Sequence, residues 1–209
     1  MYRLFFKRAL DIIISFLALP FILLVIVIMA PFIFFEDRGP IFYCAGRIGK
    51  DGKEFKMVKL RSMKVNSPDL RNADGSTYNA ENDPRVTRVG RIMRKLSVDE
   101  LPQILNVFVG HMSFIGPRPA TPKILDNPTE LQKARFAVRP GITGYTQMMY
   151  RNSAQGEARY MADKYYVDNV SFALDVKILF GTVKKVLKRE NIYNPGTIEA
   201  ETIEKVAEK

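Results

Sequence analysis

The segment Ser97-Val98-Asp99-Glu100-Leu101-Pro102-Gln103 sets two adjacent carboxylates among Arg85, Arg88, Arg91, Arg94 and Lys95. Nearby cations favour the ionised form of both acids. On a helix, neighbouring side chains point roughly 100° apart, so the two cannot face each other. They can still converge on a third body, a metal ion or a phosphate, and an ionised aspartate can attack phosphorus. The same residues also read as a capping box, Ser97-x-x-Glu100, with Asp99 in the first helical turn. On local pattern alone the cap is the stronger reading. Pro102 weakens it, because at that depth it removes a helical hydrogen bond and disfavours helix at Leu101.

Two further loops present arginines beside proline. Gly116-Pro117-Arg118-Pro119 and Arg139-Pro140-Gly141 each offer one guanidinium from a stiff backbone. A preorganised Arg fork suits bidentate phosphate binding, whereas solvated arginines on proline-shaped turns are the plain alternative. Asp163 precedes Tyr165-Tyr166 and could meet metal or substrate, although a lone surface acid is the commoner explanation. His111, beside Gly110, reads as structural, and Cys44 as a small buried hydrophobe.

The elements that must carry these groups belong to a chain of 209 residues, with 32 Lys+Arg against 22 Asp+Glu and a net charge of +10. That length suits one domain plus an appendage, and 47% hydrophobic residues exclude wholesale disorder. One Cys and one His rule out an internal disulfide and a cysteine-rich zinc site. The basic balance points to an anionic partner: nucleic acid, phosphate-bearing substrates or an acidic membrane surface. No aromatic-basic RNA motif, zinc finger or helix-turn-helix signature is present, so nucleic acid is not expected.

From Ile12 to Phe35 there are 24 residues without a charge, with Ser15 the sole hydroxyl. That exceeds the roughly 20 residues a helix needs to cross a bilayer, and no cleavage site for a signal peptide precedes Glu36. Arg3, Lys7 and Arg8 come before the run; Arg38, Arg47, Lys50, Lys53, Lys56, Lys59 and Arg61 follow it. Both flanks therefore favour the cytoplasmic side. Pro20 favours a kink. Together they predict a re-entrant hairpin over residues 1–36, in preference to a straight anchor.

Residues 37–190 are expected to form a cytosolic domain of mixed α/β class in which helix dominates. Ile41–Met63 reads as short strands with a hairpin at Asp51-Gly52, and Glu54–Leu60 alternates as a half-buried strand does. Residues 66–84 read as a mobile polar loop. Helical patterns follow from Val89, through Leu101, Ile104, Leu105 and Phe108 to a stop at Gly110, then over Thr129–Ala137, Ala158–Asn169 and Phe172–Lys188. The last is amphipathic and basic, suited to a core or to an anionic membrane surface. Residues 191–209 read as an acidic, frayed tail.

Four motifs in order, Asp83-Pro84-Arg85-Val86-Thr87-Arg88-Val89-Gly90, Ser97–Gln103, Met112–Pro119 and Arg139-Pro140-Gly141-Ile142-Thr143-Gly144, resemble the bacterial sugar transferases, the monotopic phosphoglycosyl transferases. The likeness runs from about Lys7 to Lys188 and looks like the small form of the family. It implies transfer of a phospho-sugar from a UDP-sugar to a polyprenyl phosphate, usually undecaprenyl phosphate. UMP is released and Mg²⁺ is required, at the cytoplasmic face of the bacterial inner membrane. By the same resemblance, Asp99 is the nucleophile and Glu100 its partner, both at the metal. Lys59, Arg61, Arg88, Arg118, Arg139, Gly141 and Asp163 fall to substrate binding. Anionic phospholipid is an expected partner, and a homodimer is left open. Two departures stand out. His111 occupies a position that is commonly acidic, and Pro20 follows Leu19 where a serine is usual. The alternatives are a polyprenyl-phosphate glycosyltransferase releasing UDP and a non-catalytic, membrane-anchored pathway protein.

Overall fold

The computed structural model describes residues 1–70, 78, 80, 82–150 and 156–187. The expected tail at 191–209 and much of the expected loop at 66–84 lie outside the described residues. After a π-helical turn at Tyr2–Phe6, helix α1 runs from Lys7 to Asp37 with Pro20 and Pro31 inside it. It is long and apolar enough to cross a membrane. Asp11, Ser15, Ile22, Ile26 and Ile33 are buried, at the spacing of one helix face. Phe16, Leu17, Phe21, Leu24, Val27, Ile28, Phe32 and Phe35 are exposed around the rest of the helix. An exposed apolar surface of that extent marks contact with lipid or with another protein.

Both ends of α1 are fastened to the same body. Near its start, Lys7 meets Asp175 at 2.6 Å, Arg8 donates to the carbonyls of Val107 and Phe108, and the Asp11 carboxylate accepts from Ser113 Oγ and the Phe114 amide. At its end, Arg61 ion-pairs with Asp37 and donates to the Ile33 carbonyl, and Glu36 accepts from the amides of Arg88 and Val89.

Strands β1 (Phe42–Ile48) and β2 (Glu54–Leu60) pair antiparallel, with Phe42 opposite Leu60. Asp51 and Gly52 in the turn both take positive φ, as the hairpin signal required. Phe55 and Met57 are buried on one face, in keeping with the alternation expected of β2, while Leu60 is buried on the opposite face, in the cluster with Ile22, Ile26 and Ile33. A second, parallel pair joins β3 (Ser113–Ile115) to β4 (Gly141–Thr143).

The helices are α2 (Arg88–Leu96), α3 (Gln103–Val109), α4 (Glu130–Ala134), α5 (Tyr145–Tyr150), α6 (Gly156–Asp168) and α7 (Phe172–Leu187). Helix dominates, as the sequence predicts. One core cluster joins Ile22, Ile26 and Ile33 of α1 to Leu60, Met93 and Ile104; another joins Ile115, Val138, Met148, Tyr166, Val167 and Ile178. On α2 the inward face is Gly90 and Met93, while the apolar pair Ile92 and Leu96 is exposed. Phe172, Phe180 and Val183 of α7 and Phe108 and Val109 at the end of α3 are exposed too. Arg85, ion-paired with fully buried Asp83 at 2.7 Å, donates to the carbonyls of Pro68 and Tyr78.

Candidate functional site

The acidic pair sits between α2 and α3. Ser97 takes the left-handed conformation (φ 56°), and its amide bonds back to the Arg94 carbonyl, so it ends α2. Its side chain caps nothing, and the capping-box reading is overturned. Val98–Glu100 then form a single 3₁₀ turn, and Pro102 stands at the head of α3, where its missing N–H leaves no helical bond unmade. In that tight turn the two carboxylates stay close enough for the charge of Glu100 to act on Asp99.

Glu100 Oε1 accepts from Lys59 Nζ at 2.6 Å and from Arg118 at 3.1 Å. Burial would raise the Glu100 carboxyl, but these two cations outweigh it and hold the group well below the usual carboxylate range. Asp99 is 8% exposed, and among the described residues no side chain donates a hydrogen bond to it. Burial, reinforced by the charge of Glu100, pushes its pKa up, against the pull of Lys59 and Arg94. The pair is thus divided into one carboxylate locked between cations and one that receives no side-chain hydrogen bond.

Lys59 arrives on β2, whose register also makes Asn106 of α3 bridge the strand: Asn106 accepts from the Val58 amide and donates to the Lys56 carbonyl. Arg118 arrives on the loop after β3. Its carbonyl accepts from Arg135 at 2.7 Å, and Arg135, nearly buried, pairs with Asp163 at 2.9 Å. Asp163 also accepts from Thr146 Oγ1 at 2.7 Å. The Arg159 guanidinium lies close enough to feel Arg135, Arg118 and Asp163; burial first and then the Arg135 charge lower its pKa. Lys59, Arg94 and Arg118 therefore bring positive potential to the acidic pair, with Arg135 and Arg159 sharing Asp163 behind Arg118, an arrangement that attracts phosphates.

Of the residues expected at the site, Lys59 and Arg118 meet Glu100 directly, and Asp163 reaches Arg118 through Arg135. Arg61 does not join them; its guanidinium is held by Asp37, Ile33 and Pro40 at the end of α1. Arg88 is exposed on the first turn of α2, with its amide on Glu36. Arg139 donates from Nε to the Gly110 carbonyl, at the far end of α3 from Asp99. Gly141 has a packing reason: a Cβ there would lie 2.1 Å from the Gly116 amide nitrogen, across the β3–β4 pair. Arg135 and Arg159 were not expected at the site. Arg159 and Asp163 stand four residues apart on a predicted helix, which was the available signal.

Among the described residues no three Asp, Glu, His or Cys side chains are grouped to hold a metal. Two carboxylates, one of them free of side-chain donors, match the sparse protein ligation that Mg²⁺ accepts when substrate phosphates and waters complete its shell.

The sequence model of the family described as "Bacterial sugar transferase" matches residues 2–189. The chain is 44% identical over 162 residues to the "Uncharacterized sugar transferase EpsL" of Bacillus subtilis (strain 168), covering 78% of this chain and 77% of that protein. It is 37% identical over 189 residues to the "UDP-N-acetylgalactosamine-undecaprenyl-phosphate N-acetylgalactosaminephosphotransferase" of Aeromonas hydrophila, covering 88% of this chain. It is 35% identical over 206 residues to the "Undecaprenyl-phosphate galactose phosphotransferase" of Salmonella typhimurium, covering 90% of this chain. The match spans 44% and 42% of the length of these last two relatives. With the acidic pair, the cations beside it and the long apolar helix on one body, the chain belongs to the bacterial sugar transferases, as an enzyme of the phosphoglycosyl transferase type.

Proposed function

We propose that the protein transfers a phospho-sugar from a UDP-sugar to undecaprenyl phosphate and releases UMP, with Asp99 as the covalent carrier. The observation that carries this reading is the division of labour in the acidic pair: Asp99 is buried with no side-chain donor, while Glu100 is held by Lys59 and Arg118. A buried carboxylate with no side-chain donor is a better nucleophile than a fully solvated one.

In the first step an Asp99 carboxylate oxygen attacks the sugar-bearing phosphorus. The bond from that phosphorus to the bridging oxygen breaks, and UMP leaves with the electron pair. In the second step a phosphate oxygen of undecaprenyl phosphate attacks the same phosphorus, and the Asp99 carboxylate departs. Arg118 and Lys59 stabilise the charge that develops on the phosphoryl oxygens, and Glu100 keeps both cations in place. Mg²⁺, held by Asp99, Glu100 and the donor's phosphates, would neutralise the diphosphate and the leaving UMP.

The same reading makes α1 a re-entrant membrane helix on the cytoplasmic face of the inner membrane. Its two ends share one body, cations flank both, and the surface between is apolar. The test is nucleotide release by lipid-embedded protein given Mg²⁺, undecaprenyl phosphate and a panel of UDP-sugars. UMP from the wild type and none from Asp99→Asn is the expected result. UDP in place of UMP would overturn the roles of both acids.

A further inference from the structure

Arg139, which the resemblance assigns to substrate binding, is held at the Gly110 end of α3, opposite the end that Asp99 precedes. It lines a cavity of about 50 Å³ together with Arg3, Lys7, Arg8, Lys50 and Asp11. A water occupies about 10–15 Å³ on this measure, so the space accommodates a phosphoryl group rather than a single water. α3 separates the cavity from Asp99. Asp99 precedes the helix, while Arg8 donates to the carbonyls of Val107 and Phe108 and Arg139 to that of Gly110, at the other end.

We propose that this cavity is a second anion site, which takes a phosphoryl oxyanion, either the phosphodiester of an anionic lipid headgroup or free phosphate. The plain alternative is that these cations only cap the carbonyl end of α3. That accounts for Arg8, which directs both terminal nitrogens at α3 carbonyls. It does not account for Arg3, which reaches Ala137, for Lys50 on the β1–β2 turn, or for the terminal fork of Arg139, which bonds Gly110 through Nε. Among the described residues, Arg3, Arg8 and Arg139 have no carboxylate at ion-pair distance. Lys7 is neutralised by Asp175, and Lys50 has only exposed Asp51 at 3.9 Å. Asp11 is the cavity's own acid, already accepting from Ser113 and Phe114. Cations gathered this closely repel one another, and a shared anion relieves the repulsion. Arg3 and Arg8 also immediately precede the apolar run, which puts the cavity at headgroup depth once α1 is in a bilayer.

The lipid source rests on the membrane placement of α1 proposed above, so the test reads binding alone, in the Asp99→Asn background without donor or acceptor. Full-length protein is taken from nanodiscs of phosphatidylcholine with phosphatidylglycerol, and retained lipid is counted by native mass spectrometry. Thermal unfolding in detergent is followed in parallel with inorganic phosphate. Arg3→Gln, Lys50→Gln and Arg139→Gln are each expected to lower phosphatidylglycerol retention about fivefold, as the loss of roughly 1 kcal/mol per cation requires. Arg139→Lys should recover part of it, and Lys50, exposed on a turn, can be changed without disturbing the fold. Phosphate-dependent stabilisation that these variants abolish, without lipid selectivity, would assign the site to free phosphate. Retention and stabilisation unchanged in all three variants would overturn the proposal.

Discussion

At the residue scale, two carboxylates adjacent in sequence are driven to opposite electrostatic fates, and this gives opposite pH slopes. Glu100 titrates below its unfolded value of about 4.3, so its stabilisation is complete above that pH and is lost as pH falls. Asp99 titrates above its unfolded value of about 3.9, so its ionisation opposes folding as pH rises. Glu100→Gln should therefore lower stability at pH 7, by on the order of 2 kcal/mol for two charge-assisted hydrogen bonds, with the deficit shrinking in acid. Asp99→Asn should raise the unfolding temperature at pH 7, and that gain should vanish near pH 4. Thermal unfolding of both variants across this range checks the signs. Activity divides differently. Loss of the nucleophile should reduce turnover by about a thousandfold or more, and loss of Glu100 by about a hundredfold, read as nucleotide release. The acid limb of kcat/KM should lie above the ordinary aspartate value, because Asp99 must be ionised to attack.

At the element scale, Ser97 shows what the sequence could not convey. The pattern Ser-x-x-Glu is the same whether the serine opens a helix or closes the one before it. The choice was made by Glu100, whose carboxylate found Lys59 and Arg118 instead of the Ser97 amide. With φ at 56°, Ser97→Gly should be neutral or stabilising by up to about 1 kcal/mol, where at an N-cap the same change would cost a few tenths of a kcal/mol. Equilibrium denaturation decides between them. The hairpin at Asp51-Gly52, the stop at Gly110 and the strand Glu54–Leu60 were legible because turn chemistry and period-two burial are local. The partition of the two proline-flanked arginines was not. Gly116 and Gly141 pack backbone against backbone in the β3–β4 pair. From that contact Arg118 leads to Glu100 and Arg139 to Gly110, and nothing in either tripeptide encodes the direction. Gly141→Ala should accordingly unfold the junction and cost activity through stability, visible as a lowered unfolding temperature.

At the scale of the whole molecule, α1 is bound to the body at both ends by charge. Asp175 of α7 accepts from Lys7 and from the hydroxyls of Tyr2 and Tyr166, so Lys7 and Tyr2 lose their acceptor if it is removed, and Tyr166 keeps only the Ile115 carbonyl. Breaking this buried pair from one side should cost about 3–5 kcal/mol, so Asp175→Ala should be among the most damaging single changes far from the acidic pair. The far end is held by Arg61 on Asp37 and Ile33. A helix of 31 residues would extend about 46 Å if straight, more than a hydrocarbon core, yet its two termini reach one folded unit. A straight span would carry one of these charge clusters through the bilayer and strip it of its partners. Both termini should therefore face the same aqueous compartment. Cys44, the sole cysteine, is exposed on β1 and not buried as its residue type suggests, and it reports the side after α1. A cysteine added ahead of residue 1 in a Cys44→Ser background reports the side before it. A membrane-impermeant maleimide should label both in inside-out vesicles and neither in intact spheroplasts. Labelling of the added cysteine alone in spheroplasts would make α1 a straight span, and the contacts of Lys7, Arg8 and Arg61 could not then coexist in the membrane.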